Sequence, residues 1–307
     1  MPEHFADRLM AAVATRGAPC TVALDPLYEH LPPALQSGKG GDDGTRLADI
    51  EQFCMQLLDV IAPIVPSVKV NSAYFERYHA AGIALYDRLI QQASRLGLVV
   101  IGDVKRGDVG HTAQMYAQAH LRGDHGNSQN IADAVTVNGY FGIDGVQPFL
   151  DECRVYGRGI FVLVRTSNPS AAAMQDLRTS DGRRVCEVIA DQVAMWSEQE
   201  GAVGRCGYSY VGAVTATRDP AAAARLRALM PKSILLVPGY GAQGGSAADF
   251  LPYFNRDRSG AIVAAGRSII FAHQDAARAT IAGGDWRRCV EHAARDFVSD
   301  VARLLQS

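Results

Sequence analysis

Leu98-Val99-Val100-Ile101-Gly102-Asp103-Val104-Lys105-Arg106-Gly107-Asp108 is an apolar run that ends in alternating charge, and the fold turns on how it is read. The four leading apolar residues leave no polar face, as in a strand of a parallel sheet covered by helices on both sides. In extended backbone Asp103 and Lys105 project to one side with Cα atoms roughly 6–7 Å apart, a gap a lysine stem spans. Gly107 breaks the strand, and Asp108 can fold back across it to the same ammonium. The plainer reading is a surface charge cluster, with Asp108 capping a helix that starts near Gly110. Two features favour a site. Parallel strands of this type hold active sites at their C-terminal ends, and a second isolated lysine, Lys69, sits inside another apolar strand.

Working outward, short β-rich runs fall at 21–25, 67–71, 134–138, 159–164, 210–214, 234–237 and 261–265, with the opening stretch third in order. Helical periodicity separates most of them, at 48–61, 78–96, 112–121, 185–200 and 221–230, with further helices at 5–16 and 285–305. Eight strands alternating with helices predict a (β/α)8 TIM barrel of one domain over 1–307. A doubly wound open sheet is the alternative, but no Gly-x-Gly-x-x-Gly follows the first strand. The Gly-rich 38–44 stretch reads as a surface insert, and 166–184 as a long lid loop.

Bulk properties exclude several classes. The 307 residues carry a formal net charge of -2, with 48% hydrophobic and 20% charged residues. That balance gives no footprint for nucleic acid or a membrane surface. No apolar run reaches the length of a membrane span. The N-terminus carries acids and lacks the apolar core of a signal peptide, so a cytoplasmic location is expected. Six scattered cysteines show no paired short spacing; free thiols are expected and a zinc site is not.

A barrel places its functional residues at strand C-terminal ends. Asp25, Lys69, Asp103, Lys105, Asn138, Ser167, the 238–245 loop and Arg267 all fall there. The last two point to phosphate, since barrels commonly hold it on the loops after strands seven and eight. Glycines in Pro238–Gly245 let backbone N–H groups approach an anion, Gln243 adds a donor, and Arg267 offers a planar fork ahead of a helix. Val68 and Val70 facing the helices would turn Lys69 inward. A buried lysine needs a carboxylate, and Asp25 on the adjacent strand is the expected partner. Ser167, in a Thr-Ser-Asn-Pro turn, could read a polar ring edge or be ordinary turn chemistry.

Together these residues resemble the orotidine 5'-phosphate decarboxylase family, in its longer bacterial subgroup. The resemblance runs over nearly the whole chain. It is carried by Leu24-Asp25-Pro26, by Lys69-Val70-Asn71-Ser72-Ala73-Tyr74-Phe75-Glu76 and by the Asp-x-Lys-Arg-Gly-Asp signature at 103–108. Thr166-Ser167-Asn168-Pro169, Pro238–Gly245 and Gly266-Arg267-Ser268 complete it. His111 departs from the pattern, where a small residue is expected. The resemblance implies decarboxylation of orotidine 5'-monophosphate to uridine 5'-monophosphate with no cofactor and no metal. It implies a catalytic array of Lys69, Asp103, Lys105 and Asp108, with Lys105 in a sealed barrel mouth. It also implies a homodimer in which Asp108, Val109 and Thr112 cross to the partner's site. Asp25 and Lys69 would then hold ribose hydroxyls, Ser167 the pyrimidine edge, and Gln243, Gly266 and Arg267 the phosphate end. A magnesium-dependent sugar-phosphate decarboxylase or synthase on the same barrel, and a non-catalytic nucleotide-binding barrel, are the alternatives.

Overall fold

A computed structural model of the chain describes residues 2–122, 131–241 and 247–306. Eight parallel strands close in sequence order into a barrel. They are β1 (Cys20–Leu24), β2 (Ser67–Asn71), β3 (Val99–Arg106), β4 (Ala134–Val137), β5 (Gly159–Arg165), β6 (Val211–Thr215), β7 (Leu235–Pro238) and β8 (Ala261–Ala265). β1 and β8 are buried along their whole length, which is why they read as unbroken apolar runs. β1 pairs with β2 on one side and β8 on the other, so no edge is left open.

The helices follow the strands. In chain order they are α1 (Phe5–Arg16), α2 (Asp43–Ile61), α3 (Ala73–Glu76), α4 (His79–Arg95), α5 (Gly110–Leu121) and α6 (Ile143–Tyr156). Then come α7 (Ala172–Gln175), α8 (Val185–Ser197), α9 (Pro220–Leu229), α10 (Arg267–Ile270), α11 (Ala276–Ile281) and α12 (Trp286–Gln306). The amphipathic repeat of α2 buries Leu47, Ile50, Phe53, Leu57 and Ile61 against the barrel. α6 has no counterpart in the sequence reading. Gly142 and Gly145 dilute its periodicity, and Pro148 sits inside it at the cost of one backbone bond.

The 38–44 stretch lies at the surface, exposed from Lys39 to Gly44, and both of its ends are tied down. Asp42 accepts from the Thr45 N–H and hydroxyl at 2.8 and 2.7 Å, so α2 begins at Asp43. Gly38 is buried and donates its N–H to Asp49 at 2.7 Å. Asp49 also accepts from Ser37 and Tyr28, and these hydrogen bonds outweigh burial and hold its carboxyl below the usual range.

α1 closes the end of the barrel opposite the site. Phe5 is fully buried and meets Phe161 edge-on at 5.9 Å. Gly159 makes that fit possible, since a Cβ there would lie 2.2 Å from the Phe5 ring. Arg8 donates to Asp133 at 2.8 Å and to the Gly157 carbonyl at 2.9 Å, and the His4 ring meets the Ala202 carbonyl at 3.0 Å. Among the described residues, no helix is long and apolar enough to cross a membrane. All six cysteines are free thiols, as expected.

Candidate active site

β2 and β3 lie side by side with Lys69 opposite Ile101 and Asn71 opposite Asp103. This register brings the Lys69 ammonium to 2.6 Å from Asp103 Oδ2. The Lys105 ammonium reaches Asp103 Oδ1 at 2.6 Å. Asp103 is thus a carboxylate between two ammonium groups. Burial pushes its carboxyl up, but the charges of Lys69 and Lys105 outweigh burial and bring it down to about 2. Burial pushes the Lys69 ammonium toward losing its proton, but the charges of Asp103 and Asp25 outweigh burial and hold its pKa above the ordinary lysine value. Asp25 is the more distant partner, at 3.8 Å, so the closer carboxylate is Asp103 and not the one expected from the sequence. Asp25 Oδ1 is buried and accepts no hydrogen bond from the described residues. It is an acceptor suited to a ligand hydroxyl.

β3 does not run straight into this array. Gly102 pairs with Val135 and Arg106 with Val137, so Asp103, Val104 and Lys105 face the single residue Thr136 on β4. This bulge turns the chain, and Lys105 adopts a left-handed φ of +46°. Thr136 is fully buried, accepts the Lys105 N–H at 3.0 Å and donates its hydroxyl to Asp103 Oδ1 at 2.9 Å. The sequence reading missed Thr136, because threonine is ordinary in a strand and only the pairing register exposes its place.

At the outer end of β3, Arg106 forms an ion pair with Glu76 of α3 at 2.6 Å and donates to the Val104 carbonyl. Asp108 does not fold back: among the described residues it makes no ion pair with Lys105 and accepts the Val109 N–H at 2.8 Å. Nor does it cap α5, whose N-cap is Val109. Asp108 is half-buried, while Thr112 and His111 are exposed at the start of α5. The Lys105 side chain is 50% exposed, so in the single chain the mouth above it is open and not sealed.

Ser167 lies across the mouth, on the wall of a cleft of about 710 Å³ built from the ends of β5, β6 and β7 with Phe250 and Tyr253. Gly239 and Pro238 line the same cleft; the array on β1–β4 does not. Gly241 has φ +75°, and a Cβ there would be 2.7 Å from the Ser268 side chain, so this close approach requires glycine. Gln243 lies outside the described residues. Gly266 packs on Ala23, and a Cβ there would stand 3.8 Å from Asp25, which puts the end of β8 beside the array. Arg267 is exposed at the head of α10, a helix of one turn, so the helix amides expected to assist it amount to little. The 166–184 segment holds α7 and a bridge between Arg178 and Arg184, and is pinned at its root by the two-pronged Arg165–Asp176 pair at 3.0 and 2.9 Å.

Fixed ammonium and carboxylate groups at the C-terminal mouth of a (β/α)8 barrel define an enzyme that works through preorganised charge. Residues 20–280 match the orotidine 5'-phosphate decarboxylase / HUMPS family, and the chain belongs to that family. Orotidine 5'-phosphate decarboxylase of Rhodopirellula baltica is 40% identical over 274 residues, covering 88% of this chain and 89% of the relative. The Deinococcus radiodurans enzyme of the same name is 40% identical over 226 residues, covering 74% and 79%. The structure of Leishmania donovani OMP decarboxylase superposes with a TM-score of 0.75 at 25% identity, covering 99% of each chain.

Proposed function

We propose that this chain decarboxylates orotidine 5'-monophosphate to uridine 5'-monophosphate, the activity named for its relatives. The observation that carries the reading is the Asp103 carboxylate held 2.6 Å from each of two lysine ammoniums at the strand ends. The C6–CO2 bond of the pyrimidine breaks, CO2 leaves, and the electron pair stays on C6. Lys105 stands where that charge develops and stabilises it as a fixed cation. It then gives its proton to C6, forming the C6–H bond, and regains one from water. Asp103 orients the Lys105 ammonium through their 2.6 Å contact. Asp25 Oδ1, which accepts no hydrogen bond among the described residues, takes a ribose hydroxyl together with Lys69. Ser167 meets the pyrimidine edge, and Arg267, Gly266 and Gln243 hold the phosphate end.

The chain acts as a homodimer of single-domain barrels with shared sites. Around Asp108 lies an exposed apolar surface of Val109, Met115, Tyr140, Phe141 and Ile143. A Gly145 Cβ would touch both the Asp108 carbonyl and Phe141, so the loop and this surface are one continuous patch. A second copy on the patch would cover Lys105 and bring Asp108 and Thr112 of the partner over it.

The test is the ultraviolet assay for orotidine 5'-monophosphate with chelator present. Turnover by the purified protein and its loss in Lys105→Ala, with the far-ultraviolet spectrum unchanged, is the expected result. No turnover, or turnover only with added magnesium, overturns the reading. For the shared site, mixing inactive Asp108→Ala and Lys105→Ala subunits restores part of the activity. No recovery after demonstrated subunit exchange overturns sharing.

A further inference from the structure

We propose that Thr136 is a positioning residue for the decarboxylation: its hydroxyl closes a hydrogen-bonded ring that clamps both ends of Lys105. The ring runs from the Lys105 N–H to Thr136 Oγ1 at 3.0 Å and from the Thr136 hydroxyl to Asp103 Oδ1 at 2.9 Å. It closes from the Lys105 ammonium to that same oxygen at 2.6 Å. This inference rests on the function proposed above, and deepens it by one residue on β4.

The geometry explains why a hydroxyl is needed at 136. Three residues of β3 stand opposite this one residue of β4, so the ladder carries no regular partner for the Lys105 N–H. Thr136 supplies that partner with a side-chain oxygen and still has its own proton to donate. Lys105 sits at φ +46°, a conformation an L-residue holds only where its surroundings enforce it. The lysine side chain is half exposed and otherwise free to leave the mouth. A clamp at the backbone end and at the ammonium end removes that freedom before substrate arrives. Asp103 meanwhile spends one oxygen on Lys69 and the other on Lys105 and Thr136, so its plane is fixed as well.

Thr136→Val keeps the branched shape and removes only the hydroxyl; Thr136→Ser keeps the hydroxyl and removes a methyl. The expected result is a kcat roughly 100-fold lower for Thr136→Val, the scale of a misplaced catalytic group. Affinity for uridine 5'-monophosphate, which lacks the departing carboxylate, stays within about threefold of wild type. Counting sites by that binding separates a lost alignment from a lost fold. Thr136→Ser recovers most of the rate. If Thr136→Val turns over like wild type per binding site, or Thr136→Ser is as slow as Thr136→Val, the clamp is wrong while the decarboxylase reading stands. If wild type shows no turnover, both fall.

Discussion

Lys105 holds an uncommon backbone angle because Thr136 and Asp103 over-determine it. The same residues set what a substitution costs. Asp103 and Lys69 are both buried, so Asp103→Asn takes away the closer counter-charge of a buried ammonium and leaves it only Asp25 at 3.8 Å. Breaking a buried pair in this way costs about 3–5 kcal/mol, far more than the same change at a surface pair. Urea denaturation should show that loss in Asp103→Asn. A loss below about 1 kcal/mol would place the pair in effective contact with water. Lys105 is different, because half of its side chain is exposed. Lys105→Ala should leave stability within about 1 kcal/mol of wild type while removing activity.

At the scale of elements, α3 and α4 meet at Gly82, buried in the interior of α4. Intrinsic propensity says Gly82→Ala stabilises by about 0.5–1 kcal/mol. Packing says the reverse, because the new Cβ would stand 1.8 Å from the Phe75 carbonyl. That oxygen is backbone and cannot swing aside, so α3 must move, an overpacking cost of about 1–3 kcal/mol or more. α3 also carries Glu76, which braces Arg106 at the end of β3. Gly82→Ala should therefore lower both the melting temperature and kcat; a raised melting temperature would show that the helices can part.

The elements were largely legible because parallel strands buried on both faces write themselves as apolar runs, and β2 and β8 match their readings to the residue. Charge at strand ends likewise disclosed Asp25, Lys69, Asp103 and Lys105. α6 stayed hidden behind glycines and a proline, and the early start of α2 behind the Asp42 cap. Thr136 stayed hidden for a deeper reason. Its role depends on which residues of β3 lie opposite it, and register is a property of two strands that neither segment states alone.

For the whole molecule, two groups shape the response to acid. His120 is partly buried, and burial and the nearby Arg106 charge push its pKa down to about 4 from 6.5. The folded state therefore resists a proton that the unfolded chain accepts, so stability falls as pH drops from about 6.5 toward 4. Asp103, brought down to about 2 from 3.8, extends the loss over the next interval, from about 4 toward 2. Denaturant midpoints taken between pH 7 and 4.5 should decline in wild type and decline less in His120→Gln. Equal slopes in the two proteins would remove His120 from this account.

The anchors of α1 also carry a consequence for how the chain is made. Arg8, His4 and Asp7 bind partners 149, 198 and 199 residues further along. At a synthesis speed of about 5–20 residues per second, α1 waits on the order of 10–40 s after leaving the ribosome for its last contacts to exist. Until Gly159 and Phe161 have been made, Phe5, fully covered in the finished protein, lacks the surface it docks on. The nascent chain thus offers a greasy helix to chaperones for most of its birth, and the foot of the barrel is fastened only when translation is about two thirds done.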